Sequence, residues 1–371
     1  MFTNKNIVVG DPSNSFTELY VDMLINKCDF NPNDIVFISL KNIIEHPLKK
    51  YSVDTYLYNE CDVEGVSKCK TLTFISINKS NGFFIKKLFD YTDSFIDKTY
   101  IHLTDDEVAR WLSTTTEFGT LRPTKSNNVD ENVIDVLSKV KNFIAPEAYF
   151  KEKVELILKR DDLKFIDGRD AFKSLPSSLW DTFETLYRDP TKYTAPEKSI
   201  FIGAKRGVFS LTEVVSIIKC LKKEKVFPNF KCLIFTYKKK RYFRVMLDLY
   251  LSYLRHVQGC NIDVSYPTAT NAITYNALIM SCSHLIIQGR GSMSTARSYL
   301  SMGRGVVHVK ESSPNFFELT DAEGINIGRY NSFQNLAKNI KSEVVNVNRN
   351  KEIMLSRFEQ KYNNLKEIYK C

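Results

Sequence analysis

What this 371-residue chain lacks narrows its class before any motif is read. No apolar run approaches the ~18 residues needed to cross a bilayer. The longest, such as 285–287 and 306–309, are only a few residues each, and Met1 leads straight into a strand-like segment without a signal-peptide pattern. A cytosolic protein is expected. There is no Cys-x-x-Cys pair and no Cys/His grouping at zinc-ligand spacing, so the eight scattered cysteines read as reduced core thiols and no metal or other cofactor is expected. No G-x-x-x-x-G-K-[ST] occurs, which removes support for ATP hydrolysis, and neither internal repeats nor low-complexity tracts are found.

What is present is a large globular composition, with 43% hydrophobic residues, 25 Phe and 19 Tyr. Length alone suggests two domains of roughly 150 to 200 residues. Charge is uneven: residues 1–150 carry 16 Lys and Arg against 21 Asp and Glu, whereas residues 151–371 carry 36 against 22. A basic second half beside an acidic first half suggests an anionic ligand held mainly by the second, although a solvated basic surface reads equally well.

Short β-branched runs alternate with helix-period stretches in both halves, the pattern of parallel sheets with crossover helices. The first half places strands at 6–9, 35–40, 71–77, 100–103 and 143–145. The second places them at 199–202, 232–236, 262–265, 284–287, 306–309 and 324–327, with helices between. Pro176, Pro190 and Pro196 mark an irregular stretch between them. The expected division is therefore a Rossmann-like domain over 1–195, a second over 196–350, and a terminal helix over 351–371 that crosses back to the first, with a cleft between the two sheets.

Several loops at strand ends could carry chemistry. Gly289-Arg290-Gly291-Ser292-Met293-Ser294 follows a strand and opens a helix. Its glycines admit a ligand to the backbone, and the helix N-terminus and Arg290 favour phosphate, while Ser292 and Ser294 also read as helix caps. It is not a G-x-G-x-x-G fingerprint, because position 294 is Ser. Gly203-Ala204-Lys205-Arg206-Gly207 sets two cations between glycines at another strand end. Glu311 could meet ribose hydroxyls and Ser313 a sugar or phosphate, unless Ser312 or Ser313 simply caps the helix begun by Pro314. In the first half, Thr104-Asp105-Asp106-Glu107 follows His102 and reads both as a capping box and as a source of a general base. Asp106 is the first choice, then Asp105, then Asp11 in the loop after the first strand.

Taken in order, Tyr100-Ile101-His102-Leu103-Thr104-Asp105-Asp106, Phe143-Ile144-Ala145-Pro146, Ile200-Phe201-Ile202-Gly203 and Ser281-Cys282-Ser283-His284-Leu285-Ile286-Ile287 leading into Gly289 resemble GT-B glycosyltransferases. They most closely resemble the enterobacterial fucosaminyltransferases that add 4-acetamido-4,6-dideoxygalactose to a lipid-linked acceptor. The resemblance implies metal-independent, inverting transfer in surface polysaccharide synthesis, from a nucleotide-sugar donor on the second domain to a glycan or lipid-linked acceptor on the first. No Asp-x-Asp, the metal-diphosphate ligand of the other large glycosyltransferase fold, occurs in the chain. The chain departs from the family between Leu156 and Pro196, where it has extra helical and Pro-containing sequence. Peripheral contact with anionic membrane, through residues such as Lys239 and Arg241, is also expected, and a nucleic-acid partner is not. A polysaccharide pyruvyltransferase, a transferase using a CMP-sialic-acid-type donor, and a non-catalytic nucleotide- or polyanion-binding protein are the competing readings.

Overall fold

The computed structural model describes the chain apart from residues 43–46, 189–196, 204–208, 237–240, 343–344 and 371. It divides into two compact units, Met1–Phe172 with Phe358–Cys371, and Lys173–Arg357. Each unit is built on one parallel sheet flanked by helices, so the protein is α/β with two Rossmann-like domains.

The first unit's sheet runs in the order β3-β2-β1-β4-β5-β6-β7. Its strands are β1 Asn6–Gly10, β2 Ile35–Ser39, β3 Asp54–Leu57, β4 Thr71–Ile75, β5 Thr99–His102, β6 Asn142–Ile144 and β7 Lys164–Ile166. The helices are α1 Ser15–Asn26, α2 Val63–Ser67, α3 Gly82–Tyr91, α4 Ser94–Lys98, α5 Asp105–Phe118, α6 Glu131–Lys139 and α7 Glu147–Leu158. All five residues of β1 and of β2 are buried, because a parallel sheet is covered on both faces. Ile7, Val9, Leu72, Phe74, Ile101 and Phe143 join helix residues such as Phe84, Leu88 and Trp111 in one core. Each such side chain contributes about 1.5–3 kcal/mol through burial.

The second unit's sheet runs β10-β9-β8-β11-β12-β13. The strands are β8 Glu197–Ile202, β9 Lys231–Ile234, β10 Val264–Ser265, β11 Cys282–Ile286, β12 Val306–Lys310 and β13 Gly328–Tyr330. Its helices are α8 Ser177–Arg188, α9 Leu211–Lys223, α10 Arg241–Ser252, α11 Ala272–Met280, α12 Met293–Met302, α13 Pro314–Phe317 and α14 Phe333–Ser342. The final helix, α15 Val347–Lys370, begins in this unit and ends in the first. There Tyr369 Oη donates to Thr73 Oγ1 at 2.7 Å and lies 2.9 Å from Tyr20 Oη, and Lys361 Nζ donates to Arg169 O at 3.1 Å.

Two differences from the sequence reading have clear causes. Residues 173–188, read with the first half, are bonded into the second unit: Ser174 Oγ donates to Asn276 Oδ1 at 2.7 Å, and Ser174 N to Ser298 Oγ at 3.0 Å. The last strand is Gly328–Tyr330 rather than 324–327. Gly324 instead takes a left-handed φ of +73° to close a helical turn, and Ile325 N donates back to Leu319 O at 2.8 Å. The seven described cysteines are free thiols, and burial pushes Cys28 up to about 12 and Cys69 up to about 11, which leaves both unreactive.

Candidate functional site

In the second sheet the strand order reverses between β8 and β11, and a switch point of this kind opens a crevice at the carboxyl ends of the strands. The loop 287–292 leaves β11 at this place. Its shape follows from its glycines. Gly291 has φ +76°, and a Cβ on Gly289 would lie 2.7 Å from Ser313 Cβ, so the two strand-end loops touch only because residue 289 has no side chain. The buried Asn315 fastens the loop, its Nδ2 donating to Gln288 O at 2.7 Å and Gly291 O at 2.8 Å, while its backbone N donates to Gly289 O at 2.9 Å.

Ser292 sits at φ +62° and makes no side-chain cap on α12; its Oγ accepts from Gln288 Nε2 at 3.1 Å. Capping by Ser292 is thus corrected. The first intrahelical bond at this end is Ala296 N to Ser292 O, so the N–H groups of residues 293–295, Ser294 among them, have no carbonyl of their own helix to meet. Ser313 is a cap: its Oγ accepts from Phe316 N at 3.3 Å and donates to Lys310 O at 2.6 Å.

Gln288, Gly289 and Arg290 line a pocket of about 530 Å³ with Lys310, Glu213 and the aromatic rings of Phe209, Tyr330 and Phe333. Gly203 borders a neighbouring hollow with Gln288, Ser292 and Thr295. Glu311 is turned to Arg329, 3.8 Å from its Nε, and does not line the larger pocket. Lys205 and Arg206 lie outside the described residues. The pocket therefore combines cations, glycine backbone and aromatic faces, the chemistry that suits a phosphate joined to a flat ring. The strand-end segment 310–315, which contains Lys310 and Asn315, was already legible in the sequence as a source of polar groups for a sugar or phosphate. The three aromatics were not, since they depend on segments that meet only in the fold.

In the first unit, the sequence-selected carboxylates sit in different surroundings. Thr104 and Glu107 form the capping box of α5, so neither Asp105 nor Asp106 caps it. Asp105 Oδ1 accepts from Tyr149 Oη at 2.9 Å. Asp106 lies 2.7 Å from Arg110 Nη1 on the exposed face of the helix. Asp11 binds Ser13 through N and Oγ and also pairs with Lys41; burial raises its pKa, but those bonds outweigh it and hold the carboxyl below its ordinary value. His102, at the end of β5, is buried against Tyr20, and burial brings its imidazole down to about 4. Neither ring nitrogen has a hydrogen-bond partner among the described residues.

Arg297 on α12, the helix that follows the loop 287–292, is almost wholly buried between Glu318 Oε1 at 2.6 Å and Glu323 Oε1 at 2.7 Å. Among the described residues no group of three or more His, Cys, Asp or Glu side chains is arranged to hold a metal ion, and no helix is long and apolar enough to cross a membrane.

No protein-family model matches the chain, and no curated protein matches it in sequence. Solved structures do match its fold. A glycosyltransferase from Rickettsia africae ESF-5 is 12% identical, with 99% of this chain and 96% of that one covered and a TM-score of 0.56. Anabaena HepE in complex with UDP and glucose is 10% identical, with 99% and 94% covered and a TM-score of 0.52. A UDP-N-acetylglucosamine 2-epimerase is 13% identical, with 99% and 95% covered and a TM-score of 0.50. At such identities the likeness is one of fold: the two Rossmann-like domains are those of GT-B architecture.

Proposed function

We propose that this chain is a GT-B glycosyltransferase that moves a sugar from a nucleotide-sugar donor, bound by the second unit, to a glycan or lipid-linked acceptor bound by the first. The observation that carries the reading is the loop 287–292 with its pocket, where Arg290 and Lys310 stand with Phe209, Tyr330 and Phe333, while the opening turn of α12 borders the neighbouring hollow through Ser292 and Thr295. Those cations and N–H groups suit a diphosphate, and the rings suit a nucleobase. The leaving diphosphate would be stabilised by these groups without a metal, consistent with a sequence that contains no Asp-x-Asp. HepE, a neighbour in fold, holds UDP and glucose.

For the base, the surroundings favour Asp105 over Asp106, reversing the order read from sequence. Asp106 is engaged by Arg110 on an exposed helix face, whereas Asp105 is oriented by the Tyr149 hydroxyl. An inverting outcome and the fucosaminyltransferase likeness belong to the same proposal. Thermal-shift measurement with nucleoside mono- and diphosphates tests it: a ligand at 100 times its Kd should stabilise by about 2.7 kcal/mol. No shift with any of them would refute nucleotide binding. The fold is shared with a 2-epimerase, so products must be identified. Epimerised nucleotide sugar without an acceptor would overturn transfer.

A further inference from the structure

Helix α10 is apolar on two sides. Phe243, Leu247 and Leu251, with Leu254 beyond the helix end, are buried in the second unit's core. The opposite side carries Tyr242, Val245, Met246 and Leu249 and continues through a π-helical turn to Tyr253 and Val257. Tyr242 and Leu249 are 60% exposed, Met246 is 50% exposed and Val257 71%. Single exposed apolar side chains are ordinary, but six at helical spacing form a continuous stripe roughly 20 Å long. Such a stripe marks a contact surface.

Its charge is one-sided. Arg241, Arg244 and Arg255 are exposed along it, and Asp248, the one acidic residue between 241 and 257, lies 4.0 Å from Arg244. The neighbouring α9 adds exposed Lys219 and Lys223. Arginine stems can lie along apolar matter while their heads reach anionic groups, and tyrosines near both ends suit an interface.

We infer that the exposed face of α10 docks onto an anionic lipid surface, lying in the plane of the headgroups with the stripe buried and the arginines among phosphates. A helix with one apolar and one basic flank binds through buried area plus attraction to anionic lipid. The inference concerns a face separate from the nucleotide pocket and stands whether or not that pocket takes a nucleotide.

The test is cosedimentation with vesicles of phosphatidylcholine alone and of phosphatidylcholine mixed with phosphatidylglycerol, at low and high salt. The protein should pellet with the mixed vesicles and be released by salt. The double variant Met246→Ser/Leu249→Ser should bind at least about tenfold more weakly, with thermal unfolding unchanged. Should that variant fail to fold, Tyr242→Ser/Val257→Ser probes the ends of the stripe and should weaken binding likewise. Equal partitioning onto both vesicle types, or undiminished binding by the folded variants, overturns the inference. So does light scattering that shows a dimer which the same variants convert to monomer, since the stripe would then belong to a second copy of the chain.

Discussion

His284 Nδ1 lies 2.8 Å from His308 Nε2, joining β11 to β12 through two imidazoles inside the second unit. One ring donates and the other accepts, so protonating both sets two N–H groups against each other. Burial pulls His284 down to about 4, and burial together with the neighbouring His284 holds His308 well below its ordinary value.

The linkage has a definite sign. A histidine whose folded pKa lies below its unfolded value of ~6.5 binds its proton more readily in the unfolded chain. Its contribution is complete above about pH 6.5 and is lost as pH falls towards 4. Denaturant unfolding between these values should show declining stability, by up to ~3 kcal/mol for one fully expressed shift of this size. His308→Asn should flatten that decline, and an unchanged pH slope in a folded variant would remove the pair from the account.

Arg290→Ala should weaken nucleoside diphosphate binding by ~1.5–3 kcal/mol, the range of a charge-assisted phosphate contact. Calorimetry on the folded variant provides the check. Unchanged affinity would take Arg290 out of the site.

Gly289→Ala sets a methyl 2.7 Å from Ser313 Cβ, so it should destabilise by about 1–3 kcal/mol and weaken nucleotide binding. Ser313→Gly removes the obstructing carbon at small capping cost. The double variant should therefore recover most of the loss in a double-mutant cycle, whereas simple additivity would show that the clash is relieved elsewhere.

Arg297→Met leaves two buried glutamates without their shared cation and should reduce stability by about 3–5 kcal/mol. A loss under about 1 kcal/mol in denaturant titration would mean that the carboxylates reorganise or protonate at little penalty.

Asp105→Asn should lower turnover by ~10²–10⁴ with nucleotide affinity preserved, because the proposed donor site is on the other unit. Asp106→Asn should cost far less, its carboxylate being tied to Arg110. Equal, near-normal rates for both with the true acceptor would move the search to Asp11.

Strands that are buried on both faces announced themselves. Ile7 to Val9, Ile35 to Ile38 and Ile200 to Ile202 are continuous apolar runs because parallel sheets need them. The strands that escaped notice, Asp54–Leu57 and Lys164–Ile166, lie at the sheet edges, where half-exposed residues remove the pattern. The glycine loop after β11 was legible because its backbone demands are local. The aromatic lining beside it was not, since Phe209, Tyr330 and Phe333 come from segments that meet only in the fold. Capping by Ser292 was misread because Ser292 sits in the left-handed region, where Gln288 engages its hydroxyl.

The ending of α15 in the first unit sets an order on biosynthesis. Tyr369, which bonds to Thr73 and Tyr20, is translated only after every residue of the second unit. The first 172 residues must therefore wait with that part of their core open, and the gap closes across nearly the full contour of the chain. The nascent amino-terminal half is the stage of this protein's life at which a chaperone has most to cover.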